Sequence, residues 1–382
     1  MIKIDERCTG CLACYNVCSA DAIGINHDLE GFVLPYIDMD KCVGCNRCEQ
    51  VCPCIKTMTN PDTKRALCLQ NFDDDVLRSS SSGGAIYSLA RVILERGGVV
   101  FGCAFDAKQK QFICTDTENV PLEKLLRSKY VESYVGDSFK NVKKYLEVDR
   151  WVMFCSTPCQ VAGLKNYLGK EYSKLITVDF TCGGVPSQKY LRKHIEKLAK
   201  KYKENIKDIN FRDKKYGWER YCFTVRFDNC KEYSCIAEND AYMWNFLYSK
   251  ATKRKSCLNC VFQEEHCADI VVADFWKYSA FPGIVNDKRG LSLVLCQSSK
   301  AVEILNEISD CEMTDICVDS ARYNFYNRIS DDDKIKRILM DKEYIRIHGI
   351  EKYYKKKFGL KNILKYRFRQ IMLDFKRKNN GN

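Results

Sequence analysis

The 382-residue sequence predicts three parts, namely a small α+β domain, an α/β body with a parallel or mixed sheet, and a basic helical C-terminal tail. Three observations support this prediction. Eight cysteines fall in the first 52 residues, in two runs of identical spacing. Segments with strand and helix periodicity alternate from residue 85 to residue 203, which is typical of parallel α/β sheets. Most of the net positive charge lies at the C-terminal end.

The N-terminal cysteines repeat the spacing C-x₂-C-x₂-C-x₃-C twice. This spacing is typical of bacterial ferredoxin domains with two [4Fe–4S] clusters, in which the last cysteine of each run binds the other cluster. The motif predicts two ligand sets, which are Cys8, Cys11, Cys14 and Cys52 for cluster one, and Cys42, Cys45, Cys48 and Cys18 for cluster two. A zinc site or a disulfide framework fits less well, since zinc takes four ligands in pairs and disulfides need an oxidising compartment.

The body is expected to begin after a linker-like segment at residues 57–63. Apolar runs predict strands at 99–103, 151–154 and 175–178, and shorter strands at 222–227, 270–273 and 292–295. Helical periodicity predicts helices at 85–94, 139–147, 161–168 and 188–203. The carboxyl ends of parallel strands should therefore form a ligand-binding crevice.

The formal net charge of +12 is concentrated in residues 334–382, which hold 16 Lys and Arg against 4 Asp and Glu. The rest of the chain is close to neutral and shows no binding motif, which predicts no nucleic-acid role. The N-terminus has no apolar signal region, and no apolar stretch approaches the roughly 18 residues that span a bilayer. A cytoplasmic protein with reduced thiols is therefore expected.

The tail has one apolar stripe, formed by Leu360, Ile363, Leu364, Phe368, Ile371, Met372 and Phe375. Basic residues lie largely off this stripe, and such a helix can rest on an anionic membrane or on a partner. Peripheral membrane contact is therefore one interpretation. Docking of the stripe on the chain's own domain is favoured, because any docked helix shows this period.

Four further cysteines stand out, which are Cys159, Cys182, Cys257 and Cys260. The first two each follow a predicted strand, and the last two are separated by two residues, so four thiolates could hold a third cluster at the crevice. Cys155 or Cys267 could replace one of them. The alternative is that the first pair are small buried residues and the second pair is half of a zinc site.

A serine-rich turn at residues 79–84 opens the first predicted helix of the body. A Ser-Ser-Gly-Gly turn at a helix N-terminus suits a phosphate group, because backbone N–H groups and the positive helix end point outward. An ordinary N-cap with a flexible turn explains the same residues. The turn matches neither G-x-G-x-x-G nor a P-loop.

Many spaced motifs then match one family in the same order, including segments 80–84, 98–102, 128–131, 157–160, 211–214, 256–260 and 274–276. Together they resemble the coenzyme F420 hydrogenase/dehydrogenase beta-subunit family, in its bacterial form with an N-terminal two-cluster ferredoxin domain. The resemblance implies a ferredoxin domain at 1–60, an N-terminal beta-subunit region at 66–150 and a C-terminal region at 151–320. The basic tail at 334–382 lies beyond the resemblance and is predicted from its charge.

The resemblance also implies a flavin, FAD, in the α/β body, beside a third [4Fe–4S] cluster held by the four further cysteines. The residues implied for flavin contact are Ser81, Ser82, Gly83, Gly84 and Lys129. Gly183 and Lys277 depart from the family pattern, so no particular substrate carries over. None of the four histidines is well placed as a general acid, and only His266 lies at the edge of a motif, so no residue is assigned to proton delivery.

These features predict an oxidoreductase that relays electrons between clusters and a flavin. Reduced ferredoxin, F420 or NAD(P)H is expected as redox partner, with a small organic substrate or a deazaflavin, and relatives suggest a link to surface-polysaccharide biosynthesis. One alternative is a non-catalytic electron-transfer subunit of a larger hydrogenase or dehydrogenase. Another is a membrane-docked assembly protein whose clusters are structural.

Overall fold

The computed structural model describes residues 2–56, 62–321 and 331–379, with side chains in the last helix described to residue 375. Most of the expected linker at 57–63 lies outside the described residues. The strands are β1 (Ile23–His27), β2 (Val33–Ile37), β3 (Arg65–Asn71), β4 (Val99–Asp106), β5 (Gln111–Asp116), β6 (Val152–Cys155), β7 (Leu175–Phe180), β8 (Ile206–Asp213), β9 (Cys222–Phe227), β10 (Glu232–Ile236), β11 (Ile270–Asp274), β12 (Ser292–Cys296) and β13 (Cys311–Asp315).

The helices are α1 (Ala13–Val17), α2 (Arg47–Gln50), α3 (Asp74–Ser79), α4 (Ala85–Glu95), α5 (Leu122–Leu125), α6 (Ser138–Glu147), α7 (Pro158–Leu168), α8 (Gln188–Tyr202), α9 (Ala241–Trp244), α10 (Ser299–Asn306), α11 (Val318–Ala321), α12 (Asp332–His348), α13 (Ile350–Phe358) and α14 (Leu360–Asn379). No helix among the described residues combines the length and the apolar character that a bilayer span requires.

The N-terminal domain is an α+β unit in which β1 and β2 pair antiparallel between two short helices. Its two halves share backbone geometry at the cysteine loops. Gly10 and Gly44 have φ of +71° and +70°, and Leu12 and Asn46 have φ of 61° and 59°. These left-handed turns allow each loop to wrap inward around its cysteines, which explains the glycine between the first two cysteines of each run.

The body is built on a mixed sheet with strand order β13-β3-β12-β11-β7-β6-β4-β5 in the described part of the chain. β4, β6, β7 and β11 run parallel, while β5 and β12 run antiparallel to their neighbours. The expectation of a parallel or mixed sheet is confirmed as a mixed one. β3, from the first predicted body region, lies between β12 and β13, which come from the second. Both regions therefore contribute strands to one sheet.

A smaller antiparallel sheet, β10-β9-β8, lies beside this body. Its apolar face shares a core with α8 and with residues of α12 and α13, including Ile338, Ile345 and Tyr353. Lys342 of α12 is buried, and its Nζ pairs with Glu30 of the N-terminal domain at 2.9 Å. The first two tail helices are therefore packed against the rest of the chain.

The N-terminal domain shares a core with the body. Leu12 and Val17 belong to the same apolar cluster as Phe139, Phe154 and Val161. At the closest point a Cβ atom on Gly163 of α7 would stand 3.1 Å from Cys11 Sγ. A side chain at this position would require the cysteine loop to shift by a few tenths of an ångström, so glycine suits the close approach of α7.

The expectation that the apolar stripe of the tail docks on the chain's own domain is wrong. Of the stripe residues only Ile363 is buried, whereas the other six are exposed. α14 docks through a different side. Gln370 Nε2 donates to the Ser234 carbonyl at 2.9 Å, and the Ile236 N–H donates to Gln370 Oε1. β10 is an edge strand, and its outer backbone groups need hydrogen-bond partners. A glutamine amide can both donate to and accept from them, whereas an apolar side chain can do neither.

Candidate functional site

The first two cysteine cavities lie in the N-terminal domain. Cys8, Cys11, Cys14 and Cys52 line one cavity, together with Cys54. Cys18, Cys42, Cys45 and Cys48 line the second. The structure therefore brings together the two crossed sets that the doubled motif predicts.

Cys54 is a fifth cysteine at the first cavity, and the sequence motif did not indicate it. Its side chain hydrogen-bonds to Cys52 and holds the pKa of the Cys52 thiol below its ordinary value. Its own Sγ lies 3.1 Å from the Arg7 carbonyl, to which it donates. Because the thiolate is the form that binds iron, this arrangement favours Cys52 over Cys54 as the ligand.

A third cavity lies at the carboxyl edge of the mixed sheet, where parallel sheets bind their ligands. Cys159, in the first turn of α7 after β6, and Cys182, in the loop after β7, line it together with Cys257 and Cys260. The hydroxyls of Thr9 and Ser133 line it as well. Cys155 and Cys267 are not among the described residues that line this cavity.

Burial sets the protonation of these four thiols. It raises the pKa of Cys159 to about 11 and that of Cys182 to about 12, and it raises the pKa values of Cys257 and Cys260 too. The charges of Lys253 and Arg254 oppose part of this effect. Buried thiols of this kind become thiolates when a metal centre compensates their charge, so the donor set suits an iron–sulfur cluster.

Among the residues that the structure describes, no three His, Cys, Asp or Glu side chains are arranged to hold a single metal ion. A [4Fe–4S] cubane has a different requirement, because its thiolates stand at the four corners of a body of iron and sulfide. Four cysteines around a shared cavity meet that requirement.

The first and third cavities adjoin. Thr9 lines both of them, and its hydroxyl lies against Cys159, where it lowers the pKa of that thiol. Ser256 Oγ donates to the Cys8 carbonyl at 3.1 Å, one residue before Cys257. The loops that carry the two cysteine sets are therefore in direct contact.

A buried ion pair supports this contact. Arg254 pairs with Glu132, and both side chains are about 5% exposed. Arg254 Nη2 also donates to the Val33 carbonyl at 2.7 Å, and Nη1 donates to the Cys8 carbonyl at 3.2 Å. Burial raises the pKa of Glu132, and Arg254 opposes that shift. Sequence reasoning missed this pair, because neither residue belongs to a cofactor motif.

The predicted flavin loop precedes α4, at the same edge of the sheet. Ser81 Oγ accepts from the Ser128 N–H at 2.7 Å, and Ser82 Oγ donates to the Leu291 carbonyl. The Gly83 N–H donates to Ser292 Oγ at 2.9 Å. Gly84 is the N-cap of α4 and provides no side-chain cap. The hydroxyls of Ser81 and Ser82 and the Gly83 N–H are therefore bonded within the chain, and the first turn of α4 has no side-chain cap.

Lys129, the remaining flavin prediction, is held by the end of α5. Its Nζ donates to the carbonyls of Leu125, at 2.8 Å, and Leu126. Burial lowers its pKa to about 8. In this structure the lysine completes the hydrogen bonding of a helix C-terminus, a role that sequence reasoning did not consider.

Arg212 is a second candidate for an anionic or aromatic ligand at this edge. It is buried and pairs with Asp274, while its Nε and Nη2 find no hydrogen-bond partner among the described residues. Its guanidinium lies 5.1 Å from the ring centroid of Trp276. Trp276 is 43% exposed and stacks on the buried Trp218 with a centroid distance of 4.4 Å. A buried cation beside a flat, partly exposed aromatic ring suits a planar anionic cofactor.

A continuous set of contacts joins Arg212 to the third cavity. Arg212 Nη1 lies 3.4 Å from the Tyr130 hydroxyl, and the Tyr130 ring stacks on Phe246 at 4.7 Å. Lys253 Nζ lies over the Phe246 ring and donates to the Gly183 carbonyl at 2.6 Å, next to Cys182. Packed side chains therefore connect Arg212 with the loop that carries Cys182.

His266 lies beside this site. Its Nδ1 is 2.8 Å from Asp179 Oδ1, and both side chains are buried. Asp179 lies on β7, three residues before Cys182, and burial raises its pKa. The histidine that the sequence places at the edge of a motif is thus held by a carboxylate near the third cavity.

Two family models match this chain. Residues 149–320 match the model for the C terminus of the coenzyme F420 hydrogenase/dehydrogenase beta subunit. The chain carries a domain of this family. Residues 7–55 match the 4Fe-4S dicluster domain, which confirms the ferredoxin-type N-terminal domain and its iron–sulfur clusters. No curated protein matches the chain.

Among solved structures, the chain is similar to a chain of the F420-reducing [NiFe] hydrogenase complex from Methanosarcina barkeri. The identity is 16%, the match covers 77% of this chain and 95% of the other, and the TM-score is 0.47. All four cysteines of the third cavity lie within residues 149–320, which match the beta-subunit model. The family relationship identifies an iron–sulfur protein of an oxidoreductase family.

Proposed function

We propose that this chain is a flavin- and iron–sulfur-dependent oxidoreductase with a third [4Fe–4S] cluster held by Cys159, Cys182, Cys257 and Cys260. The observation that carries the proposal is the junction of the first and third cavities, where Thr9 lines both. Clusters are one-electron carriers, and neighbouring clusters form a path for electrons. The order of the path is cluster two, cluster one and the third cluster.

The residues around the third cavity fit a cluster and a nearby flavin. Lys253 and Arg254 compensate the negative charge of thiolates, and hydroxyls of Thr9 and Ser133 supply donors toward cluster sulfur. The N-terminus of α4 is proposed to hold the flavin phosphates, and Arg212 with Trp276 to hold its ring system. A bound flavin exchanges hydride with an organic partner and single electrons with clusters.

We propose that the substrate is either a small organic molecule, for example a sugar- or polyprenyl-linked compound, or a deazaflavin. Reduced ferredoxin, F420 or NAD(P)H is the proposed redox partner. His266 with Asp179 is a buried titratable pair near the third cavity.

Anaerobic purification followed by iron, sulfide and flavin analysis tests the proposal. About twelve iron atoms per chain are expected from three four-iron clusters, with one flavin. About eight iron atoms and no flavin would leave only the dicluster domain loaded and would contradict the proposal. A non-catalytic subunit of a larger complex would instead carry its iron but reduce no small acceptor by itself.

A further inference from the structure

The exposed side of α14 has a composition that the electron-transfer site does not explain. Six large apolar residues of this helix are between 42% and 66% exposed, namely Leu360, Leu364, Phe368, Ile371, Met372 and Phe375. They recur every three or four residues and therefore form one continuous stripe along the helix. We call these six residues the apolar face of α14.

The helix is held in place by a different side, adjacent to the apolar face. Ile363 is buried, Gln370 bonds the edge of β10, and Asp374 pairs with Lys215 at 3.4 Å and accepts from Tyr216. The apolar face is therefore presented outward by a helix whose orientation is fixed by the contacts of that adjacent side.

Basic residues border the apolar face. Lys361, Lys365 and Arg369 are exposed along one flank, and Arg367 lies toward the other. The tail as a whole has 16 Lys and Arg against 4 Asp and Glu. Apolar residues between basic flanks are typical of helices that lie in the plane of a membrane interface, where the apolar side enters the acyl boundary and the cations meet anionic headgroups.

We propose that the apolar face of α14 docks on an anionic lipid surface and holds the protein there as a peripheral membrane protein. A second copy of the chain is a poorer occupant, since pairing two such faces would bring their lysine and arginine flanks together. An anionic membrane complements both features at once, because it accepts the apolar side chains and neutralises the flanks.

Vesicle co-sedimentation of the full-length, anaerobically purified protein tests this proposal. One set of vesicles contains phosphatidylcholine with phosphatidylglycerol, and the other contains phosphatidylcholine alone. We expect binding to the anionic vesicles to be at least about tenfold stronger, and to weaken as salt is raised. Equal binding to both sets, or binding to neither, would overturn the proposal.

Two double variants separate the contributions. Leu364→Ser with Phe368→Ser should lower binding to anionic vesicles at least about tenfold, and Lys365→Glu with Arg369→Glu should remove the preference for phosphatidylglycerol. The matched control is Leu29→Ser, since Leu29 is 76% exposed in the N-terminal domain. It should bind as the unaltered chain does. All variants should keep their iron, because the altered side chains are exposed.

Other occupants of this face would give different results. If light scattering showed dimers that the Leu364→Ser and Phe368→Ser variant abolishes, without vesicle binding, the occupant would be a second copy. Binding to polyglutamate without vesicle binding would indicate an acidic protein partner. Either result would overturn the lipid assignment, as would unchanged vesicle binding by the apolar double variant.

Discussion

The hydroxyl of Ser256 donates a 3.1 Å hydrogen bond to the main-chain carbonyl of Cys8. Cys8 belongs to the cluster-one loop, and Ser256 directly precedes Cys257 of the third cavity. The bond therefore joins the ligand loops of two proposed neighbouring clusters.

Replacement of a third-cavity cysteine should remove one cluster and spare the other two. Cys182→Ser is expected to lower the iron content by about one third, since one of three four-iron clusters is lost. Cys267→Ser is the matched control, because Cys267 is buried nearby but does not line the cavity, and it should retain all iron. Iron content of Cys182→Ser equal to that of the unaltered chain would show that the ligand set is wrong.

Breaking the buried Arg254–Glu132 pair should destabilise the junction between the N-terminal domain and the body. Glu132→Gln leaves the Arg254 charge buried without its partner, which costs about 3–5 kcal/mol of unfolding free energy. Anaerobic urea unfolding measures the change. As a control, Asp75→Asn disrupts an exposed pair with Arg78 and should leave the unfolding midpoint almost unchanged, because water screens exposed ion pairs.

The buried Lys129 should make stability depend on alkaline pH. Burial lowers its folded pKa to about 8 from an ordinary value of 10.5. Between these values this residue binds more protons in the unfolded chain than in the folded chain, so it contributes a rise in stability with pH across that window, by at most about 1.4 kcal/mol per unit. Buried thiols with raised pKa values act in the opposite direction, so the contribution of Lys129 is measured as the difference between variants in the change of the urea midpoint from pH 8 to pH 10, with Lys124→Met as the exposed-site control.

In Lys129→Met this contribution should be absent, because no buried ammonium remains. A change of the midpoint in Lys129→Met equal to that in the unaltered chain would mean that other groups cause the dependence. Flavin content measured on the same variant reports separately on the proposed flavin contact.

The residues around Arg212 should determine flavin retention. Trp276→Leu removes the partly exposed ring that lies over the Arg212 guanidinium and is expected to lower the flavin-to-iron ratio at least about tenfold. Arg226→Met alters a half-exposed arginine of the small sheet and serves as the control. Normal flavin content in Trp276→Leu would place the flavin elsewhere.

The sequence predicted the parts of the site that depend on local spacing. The doubled cysteine motif indicated which eight thiols belong together, and the apolar runs coincide with β4, β6, β7 and β11. The positions of Cys159 and Cys182 followed, because residues after parallel strands share one edge of the sheet. These features could be predicted since each is encoded within a few neighbouring residues.

Contacts between distant segments could not be predicted in this way. β3 pairs with β12 and β13, more than 200 residues later in the chain. The contacts of Arg254 with Glu132 and Cys8 likewise depend on how the two domains pack. The period of the tail stripe showed which face of α14 is apolar. Which face is buried depends on the surface that the helix packs against, and here the edge of β10 offers backbone groups that bond with Gln370.

The most direct test of the account follows flavin reduction by stopped-flow absorbance after mixing with a reduced ferredoxin. The unaltered chain should show reduction of the clusters followed by reduction of its flavin. Cys182→Ser, checked to retain eight iron atoms and its flavin, should keep fast cluster reduction but lose flavin reduction at least about a hundredfold, because the step between cluster one and the flavin is missing. Flavin reduction at an unchanged rate in Cys182→Ser would contradict the relay.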